Sequence, residues 1–374
     1  YSHSFGVQRN LGRGLVLDVA YVGTLSRHLT QQRNINAVPY FTTFQKPAQD
    51  PSRFTGAIPD VEPGLPAVYS QAGFQFSGAN ALPVNFLRPY PGIAELNYRE
   101  FAGSSNYHSL QVSVSRRLSA GLSIEAAYTW SKVMDTGDVD FDANHPYDTR
   151  GYDYKLAAFD RTHTFVANYV YELPTPARWK SNGLAKHALG GWQVSGISQF
   201  YTGEPFELAL AIQGINAAQR LIGSYNLPVR PYRVGGAPDA SDGLHLNAAG
   251  FSVPGVGDVG PYPRTYLRNP SFLNHDLSLF KNIPLGESQT RKLQFRLEMF
   301  NVLNSTQFGT INNVTQVATA SGQTGAAIFD NFTNLRITNN VRPAGSRAPL
   351  GQFFGEYNSA RDPRIIQLAV KFYW

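Results

Sequence analysis

The sequence predicts an all-β protein, an antiparallel up-and-down transmembrane β-barrel, and three observations predict it. Large apolar residues alternate with polar or small ones in segments of about ten residues, the length of a tilted strand crossing a bilayer. The links between those segments alternate between short and long. The chain also ends inside such a segment, "RIIQLAVKFYW", with Ile366, Leu368, Val370, Phe372 and Trp374 at two-residue steps. A frayed hydrophobic strand is a hazard at a soluble terminus, whereas in a barrel the last strand pairs with the first and closes the sheet.

The segments follow in chain order. Phe5 and Val7 mark a first strand near the start. Leu15, Leu17, Val19 and Tyr21 face opposite ways from Asp18 and Ala20. Leu110, Val112 and Val114 alternate with Gln111, Ser113 and Ser115, and Leu122, Ile124, Ala126, Tyr128 and Trp130 alternate with Ser123, Glu125, Thr129 and Ser131. Phe165, Ala167, Tyr169 and Tyr171 oppose Asn168 and Glu172. Weaker alternation surrounds Trp192 and Val194, then Leu277 and Leu279 against Asp276 and Ser278. The clearest segment is "KLQFRLEM", with Leu293, Phe295, Leu297 and Met299 on one face and Gln294, Arg296 and Glu298 on the other. With the closing strand the count is nine. Single-chain bacterial barrels have even counts, so an open or imperfectly closed sheet is expected, edged by the strands near Phe5 and Phe372.

Loop parity supplies orientation. Residues 10–13, 118–121 and 284–290 are short links and 173–191 a moderate one; long loops are expected at about 26–104, 135–160, 205–271 and 304–363. Outer-membrane barrels place short turns toward the periplasm and long loops outside, and a soluble sandwich has no reason to sort loops this way. The last strand then runs inward, leaving Trp374 at the periplasmic rim, where amphipathic aromatic rings favour the interface. Val370 should face lipid and Gln294, Arg296, Glu298 and Lys371 the lumen.

Composition agrees. Aromatic residues make up 13% of the chain and charged ones 16%, a balance suited to interfacial girdles more than to a solvated surface. No run approaches the ~18 apolar residues of a spanning helix, so a membrane reading must be a barrel. Cysteine is absent, which excludes a disulfide framework and thiolate metal sites. The net charge of +6 comes from scattered Lys and Arg, which argues against a nucleic-acid stripe. The chain opens on Tyr1 with no initiator Met and no signal peptide, as expected of the C-terminal piece of a longer protein.

The segments "GVQRNLGRGLVLDVAYVGTLSRHL", "NYHSLQVSVSRRLSAGLSIEAAYTWSKVMD", "FDRTHTFVANYVYELP", "GGWQVSGISQFYTGEPF", "DLSLFKNIPL" and "LQFRLEMFNVLNSTQFG" resemble, in order, the C-terminal barrel of Oar-like TonB-dependent outer-membrane transporters, abundant in Acidobacteria-type genomes. The resemblance implies a 22-stranded barrel around an N-terminal plug, of which these would be the last nine strands, with the plug and TonB-contacting box upstream of Tyr1. It also implies that Ile366, Leu368, Val370, Phe372 and Trp374 form the signal read by the barrel-assembly machinery. Implied partners are outer-membrane lipid, that machinery, and a TonB-type energy-transducing complex reached through the plug. The implied activity is uptake of a bulky nutrient.

Chemical motifs fail in context. "GVGDVG" at 255–260 is a literal G-x-G-x-x-G lying between Pro254 and Pro261, with no following helix to bind phosphate. Ser278 and Lys281 have S-x-x-K spacing, but three residues along a strand put them on opposite faces. No nucleophile constellation supports an enzyme, and no cofactor is expected. The acidic stretch "DTGDVDFDANHPYDTRGYD" offers Asp138, Asp140, Asp142 and Asp148 as a weak cation candidate. As an EF-hand loop it lacks both the sixth-position Gly, replaced by Ala143, and the twelfth-position Glu, replaced by Thr149. Loop aromatics in "VYSQAGFQFSGAN" and "FGEYNSARD" could capture ligand by stacking. A secreted or surface adhesion or glycan-binding module is the alternative class, to be separated by solubility without detergent.

Overall fold

A computed structural model of the protein describes residues 1–53, 79–119, 121–140, 142–175, 188–212, 221–233, 246, 250–252, 254–255, 257–260, 267–285, 291–312, 314–319, 335–339 and 355–374. Nine strands form one antiparallel meander: β1 Ser2–Gly12, β2 Leu15–Asn34, β3 Asn97–Ser119, β4 Leu122–Asp135, β5 His163–Glu172, β6 Trp192–Tyr201, β7 Phe272–Pro284, β8 Lys292–Phe300 and β9 Ile365–Tyr373. Every strand pairs with its neighbours in sequence, and β1 and β9 are the two edges, so the sheet is open. This is the expected number of strands in the expected order, with the expected edges. Two-residue strands at 143–144 and 155–156 flank β2 and β4.

Strand ends depart from the sequence reading. β2 continues to Asn34 and β3 begins at Asn97, so the first long connection spans 35–96 rather than 26–104. The added stretches, "SRHLTQQRN" and "NYREFAGSSN", carry no apolar alternation because they need none. They pair through backbone hydrogen bonds, with register breaks around His28 and Thr30. The other long connections are 136–162, 202–271 and 301–364. The short β1–β2 turn is built by Gly12, Arg13 and Gly14, all at positive φ, with the Asn10 side chain accepting from the Gly12 N–H at 2.8 Å. Gly121, φ 79°, turns β3 into β4, and an added Cβ there would sit 2.7 Å from the Glu172 carbonyl.

Register places the apolar alternations of all nine strands on one face. The row Leu15, Arg116, Ile124, Tyr169, Gly196, Leu277, Met299 and Ile366 runs from β2 to β9 through successive partners. It also measures stagger. The row starts at the turn end of β2 and reaches β9 seven residues before that strand's turn end at Tyr373, after seven strand-to-strand steps. One residue per step is about 3.3 Å along for about 4.8 Å across, a tilt of about 35°, the lower end of the range for closed barrels. Each residue then rises about 2.7 Å along the barrel axis.

The core is not between the strands. Every buried hydrophobic among the described residues lies in a long connection, including Val38, Phe44, Leu87, Tyr152, Leu221, Ile222, Leu227, Leu246, Phe251, Leu267 and Ile311. Two clusters organise it: Leu208, Leu246, Phe251, Leu267 and Ile311; and Val38, Ala48 and Leu87. Cross-links join all four long connections. The Phe41 N–H donates to Ile222 O (2.7 Å), Tyr152 Oη to Pro228 O (3.0 Å), and the Ile311 N–H to Asn269 Oδ1 (3.2 Å). Those connections therefore share one rim. By contrast Phe5, Leu368 and Trp374 are 73%, 78% and 88% exposed, on a face a soluble module would have to cover. Among the described residues no helix is long and apolar enough to cross a membrane, which says nothing of strands.

Candidate functional site

The polar face of β7, β8 and β9 forms a side-chain ladder. Gln294 donates to Asn282 Oδ1 (2.7 Å), Arg296 Nε donates to Gln294 Oε1 (2.6 Å), and an Arg296 terminal nitrogen donates to Tyr373 Oη (2.9 Å). The Arg296 guanidinium also lies 5.2 Å from the Phe280 ring centre. Gln294 is buried by these contacts. Glu298 stands opposite Ser278 and Gln367, one step further toward the loops, and Lys371 opposite Gln294. Gln294, Arg296 and Glu298 thus share a face with Lys371. Ile366, Leu368, Val370 and Phe372 lie on the other, beside Met299, Leu297, Phe295 and Leu293. Ser278 and Lys281 are on opposite faces, Ser278 level with Glu298 and Lys281 level with Phe295.

Above the ladder the loops are held by buried charge. Asp160, fully buried, accepts from the Val133 N–H (2.7 Å) and from Arg268 (2.5 Å). Arg161 pairs with Glu204 (2.5 Å) and stacks 4.2 Å from the Tyr201 ring centre. The Thr162 carbonyl accepts from the Ser131 N–H (2.9 Å), and His163 pairs with Tyr128 Oη (2.8 Å). "FDRTH", which sequence reading used only as a family signature, is therefore the joint between the second long loop and β5, each polar member with its own partner. Burying a carboxylate is tolerable only when paired and hydrogen-bonded, which an Asp beside an Arg in an aromatic-rich segment hints at but does not specify.

The acidic stretch is dispersed by the fold. Asp138 pairs with Lys155, which also reaches Asp135 (3.5 Å). Asp142 accepts from the Asp138 N–H (3.1 Å), Asp140 from Thr30 Oγ1 (2.7 Å), and Asp148 caps helix α1 (Thr149–Asp153) by accepting from the Gly151 N–H at 2.8 Å. Only Asp138 and Asp142 come together, and among the described residues no group of three acidic or histidine side chains could hold a metal. His145 follows in the same loop. Its Nδ1 accepts from the Tyr147 and Asp148 N–H groups (3.3 and 3.0 Å) and its Nε2 faces Tyr40 Oη at 2.6 Å. Burial holds its pKa down at about 4, with Arg230 lowering it further and Asp148 opposing.

Of the sequence's candidate ligand-capturing loops, "VYSQAGFQFSGAN" lies almost wholly outside the described residues. In the second, Tyr357 stacks on Phe308 with ring centres 3.8 Å apart and packs on the Leu208 cluster, so there the ring serves the loop core.

An open meander with one apolar and one polar face, tilted like a closed barrel and bearing long loops on one rim, defines the class: a transmembrane β-barrel protein. The chain matches the family described as outer membrane beta barrel domain over residues 1–367, and it belongs to that family. Its location is the outer membrane. Among solved structures it is similar to the outer membrane transporter YddB from Escherichia coli, at 10% identity and a TM-score of 0.41, covering all of this chain and 32% of that one. The chain thus spans about a third of that protein's length. No curated protein matches it.

Proposed function

We propose that this chain is the barrel part of an Oar-like, TonB-dependent receptor-transporter that takes up a bulky nutrient. The observation supporting this most is the division of labour in the fold: a polar face with an Arg296 ladder beneath four long loops that are cross-linked into one cap. A conduit needs a wetted wall, and a receptor needs ordered outer loops. Energy would come from a TonB-type complex acting through a plug, and the barrel-assembly machinery would read the β9 positions Ile366 to Trp374. In this reading the chain performs no catalytic step, uses no cofactor and binds no nucleic acid. The bare apolar face argues against the adhesion-module alternative. The test is depletion of solutes from the medium by cells carrying or lacking the whole protein, with and without a protonophore. A solute above the size passed by open porins should be depleted only by energised cells carrying the protein. Depletion unaffected by the protonophore would refute energy coupling, and identical media would refute uptake.

A further inference from the structure

From the turns up to the row His3, Gly23, His108 and Lys132, and along the whole of β5 to β9, the apolar face holds no Asp or Glu. Its charged residues are Arg9, Arg116, Lys132 and Lys281, all cationic. Three of them lie toward the turn end. Lys132 is ten residues above Leu122, about 27 Å up, just beyond the ~25 Å apolar band of such barrels. It is exposed, and directly opposite it on β3 is His108.

A hydroxyl joins His108 to a second histidine. Tyr21 Oη lies 2.7 Å from His108 Nδ1 and 3.3 Å from His3 Nε2. One hydroxyl has one proton, so Tyr21 donates to one imidazole and accepts from the other; with His108 Nδ1 as the acceptor, His108 is the neutral Nε2–H tautomer. That assignment leaves His108 Nε2–H as a donor, and neither it nor the Lys132 ammonium has a protein acceptor among the described residues. Both border a hollow of about 530 Å³ whose walls include Tyr21, Leu110, Trp130 and Leu156. Arg268 also lines it but is neutralised by Asp160.

We infer that this hollow binds the phosphate-bearing headgroup of an outer-leaflet lipid, with phosphate on Lys132 Nζ and His108 Nε2 and an acyl chain against Leu110 and Trp130. Charge complementarity, height and the apolar walls select a lipid over a free anion, which would gain nothing from Leu110 or Trp130.

The whole protein in neutral-detergent micelles, titrated with dioleoyl phosphatidic acid and separately with dioleoylglycerol, tests this by native mass spectrometry. The phosphate-bearing lipid should bind about tenfold more tightly, the preference should vanish in Lys132→Gln and persist in Lys132→Arg, and millimolar inorganic phosphate should not displace it. His108→Gln should weaken the preference about threefold and serves as the second probe if Lys132→Gln does not fold. Equal binding of the two lipids by the native protein would overturn the proposal. A preference untouched by both substitutions, or displacement by inorganic phosphate, would overturn it equally.

Discussion

A charge placed on the apolar face of β9 should damage the protein according to its height, and the stagger fixes those heights. Leu368 is five residues from the strand's turn end at Tyr373, about 14 Å up and close to the middle of a 25 Å band; it pairs with Leu297, itself paired with Leu279. Val370 is only three residues up, about 8 Å, and pairs with Phe295 in the row of Lys281, which is already cationic. Both positions share the face the sequence assigns to lipid, and the register makes Leu368 the sharper of the two. Leu368→Arg should cost about 2–4 kcal/mol and Val370→Arg about 1, since its guanidinium can snorkel to the near interface. Lys371→Gln, on the polar face opposite Gln294, should cost under about 0.5 kcal/mol. Equilibrium urea unfolding of the whole protein in lipid vesicles, with heat-modifiable migration as the fold check, gives all three. Equal losses at 368 and 371, or a larger loss at 370 than at 368, would refute both the facing and the tilt.

Three further outcomes follow from the loops and turns. His145 has its pKa near 4 in the folded protein against an ordinary 6.5, so the unfolded loops bind the proton first and stability falls as pH drops below 6.5, levelling off near 4. At pH 5 that loss is about 2 kcal/mol, read as faster intrinsic-rate-corrected exchange of the Tyr147 and Asp148 amides; an unchanged slope in His145→Gln would disprove it. Asp160→Ala should cost about 3 kcal/mol by stranding Arg268 and the Val133 N–H, whereas Asp160→Asn keeps an acceptor and should cost less; equal urea midpoints for the two would contradict the pairing. Gly121→Ala meets both its φ of 79° and the Glu172 carbonyl, and Gly12→Ala meets φ strain alone, so the first should lower stability by 1 kcal/mol or more beyond the second, about 1–2 kcal/mol for φ alone. Reversal of that order in unfolding experiments would show that the β3–β4 turn relaxes.

What the sequence made legible was whatever repeats with period two. Leu293, Phe295, Leu297 and Met299 announce their face because lipid on one side and water on the other impose alternation directly on the residues. The outer ends of β2 and β3 stayed hidden because strands beyond the bilayer meet water on both sides. The loop core was illegible for a different reason. Val38 finds Ala48 and Leu87, and Leu208 finds Leu246 and Ile311, across tens of residues with no period to betray them. Asp160 and Arg268 are likewise 108 positions apart, and only folding reveals that the carboxylate is buried and paired. The row of basic residues on the apolar face could have been read, since His108 and Lys132 fall on the alternation, but their pairing needs register.

The two rims are held by different physics. At the turn end the β1–β2 and β3–β4 links are only two residues each, so order there comes from backbone geometry, with positive φ at Gly12, Arg13, Gly14 and Gly121; beside the longer β5–β6 link a Lys281 side chain bonds to the Ala188 and Gly190 carbonyls. At the loop end the links are long and closing them costs conformational entropy that grows with length. Hydrophobic burial cannot offset that cost within the sheet, because the apolar face is already committed to lipid. It is offset instead by the loops, where every buried hydrophobic among the described residues lies and where Asp160 and the Lys155–Asp135 pair are buried. Such a cap can loosen without unfolding the sheet, since its core and the strand pairing share few residues. Its acid sensitivity through His145 and the membrane sensitivity of β9 should therefore be separable, with pH acting on loop exchange while Leu368→Arg acts on global unfolding.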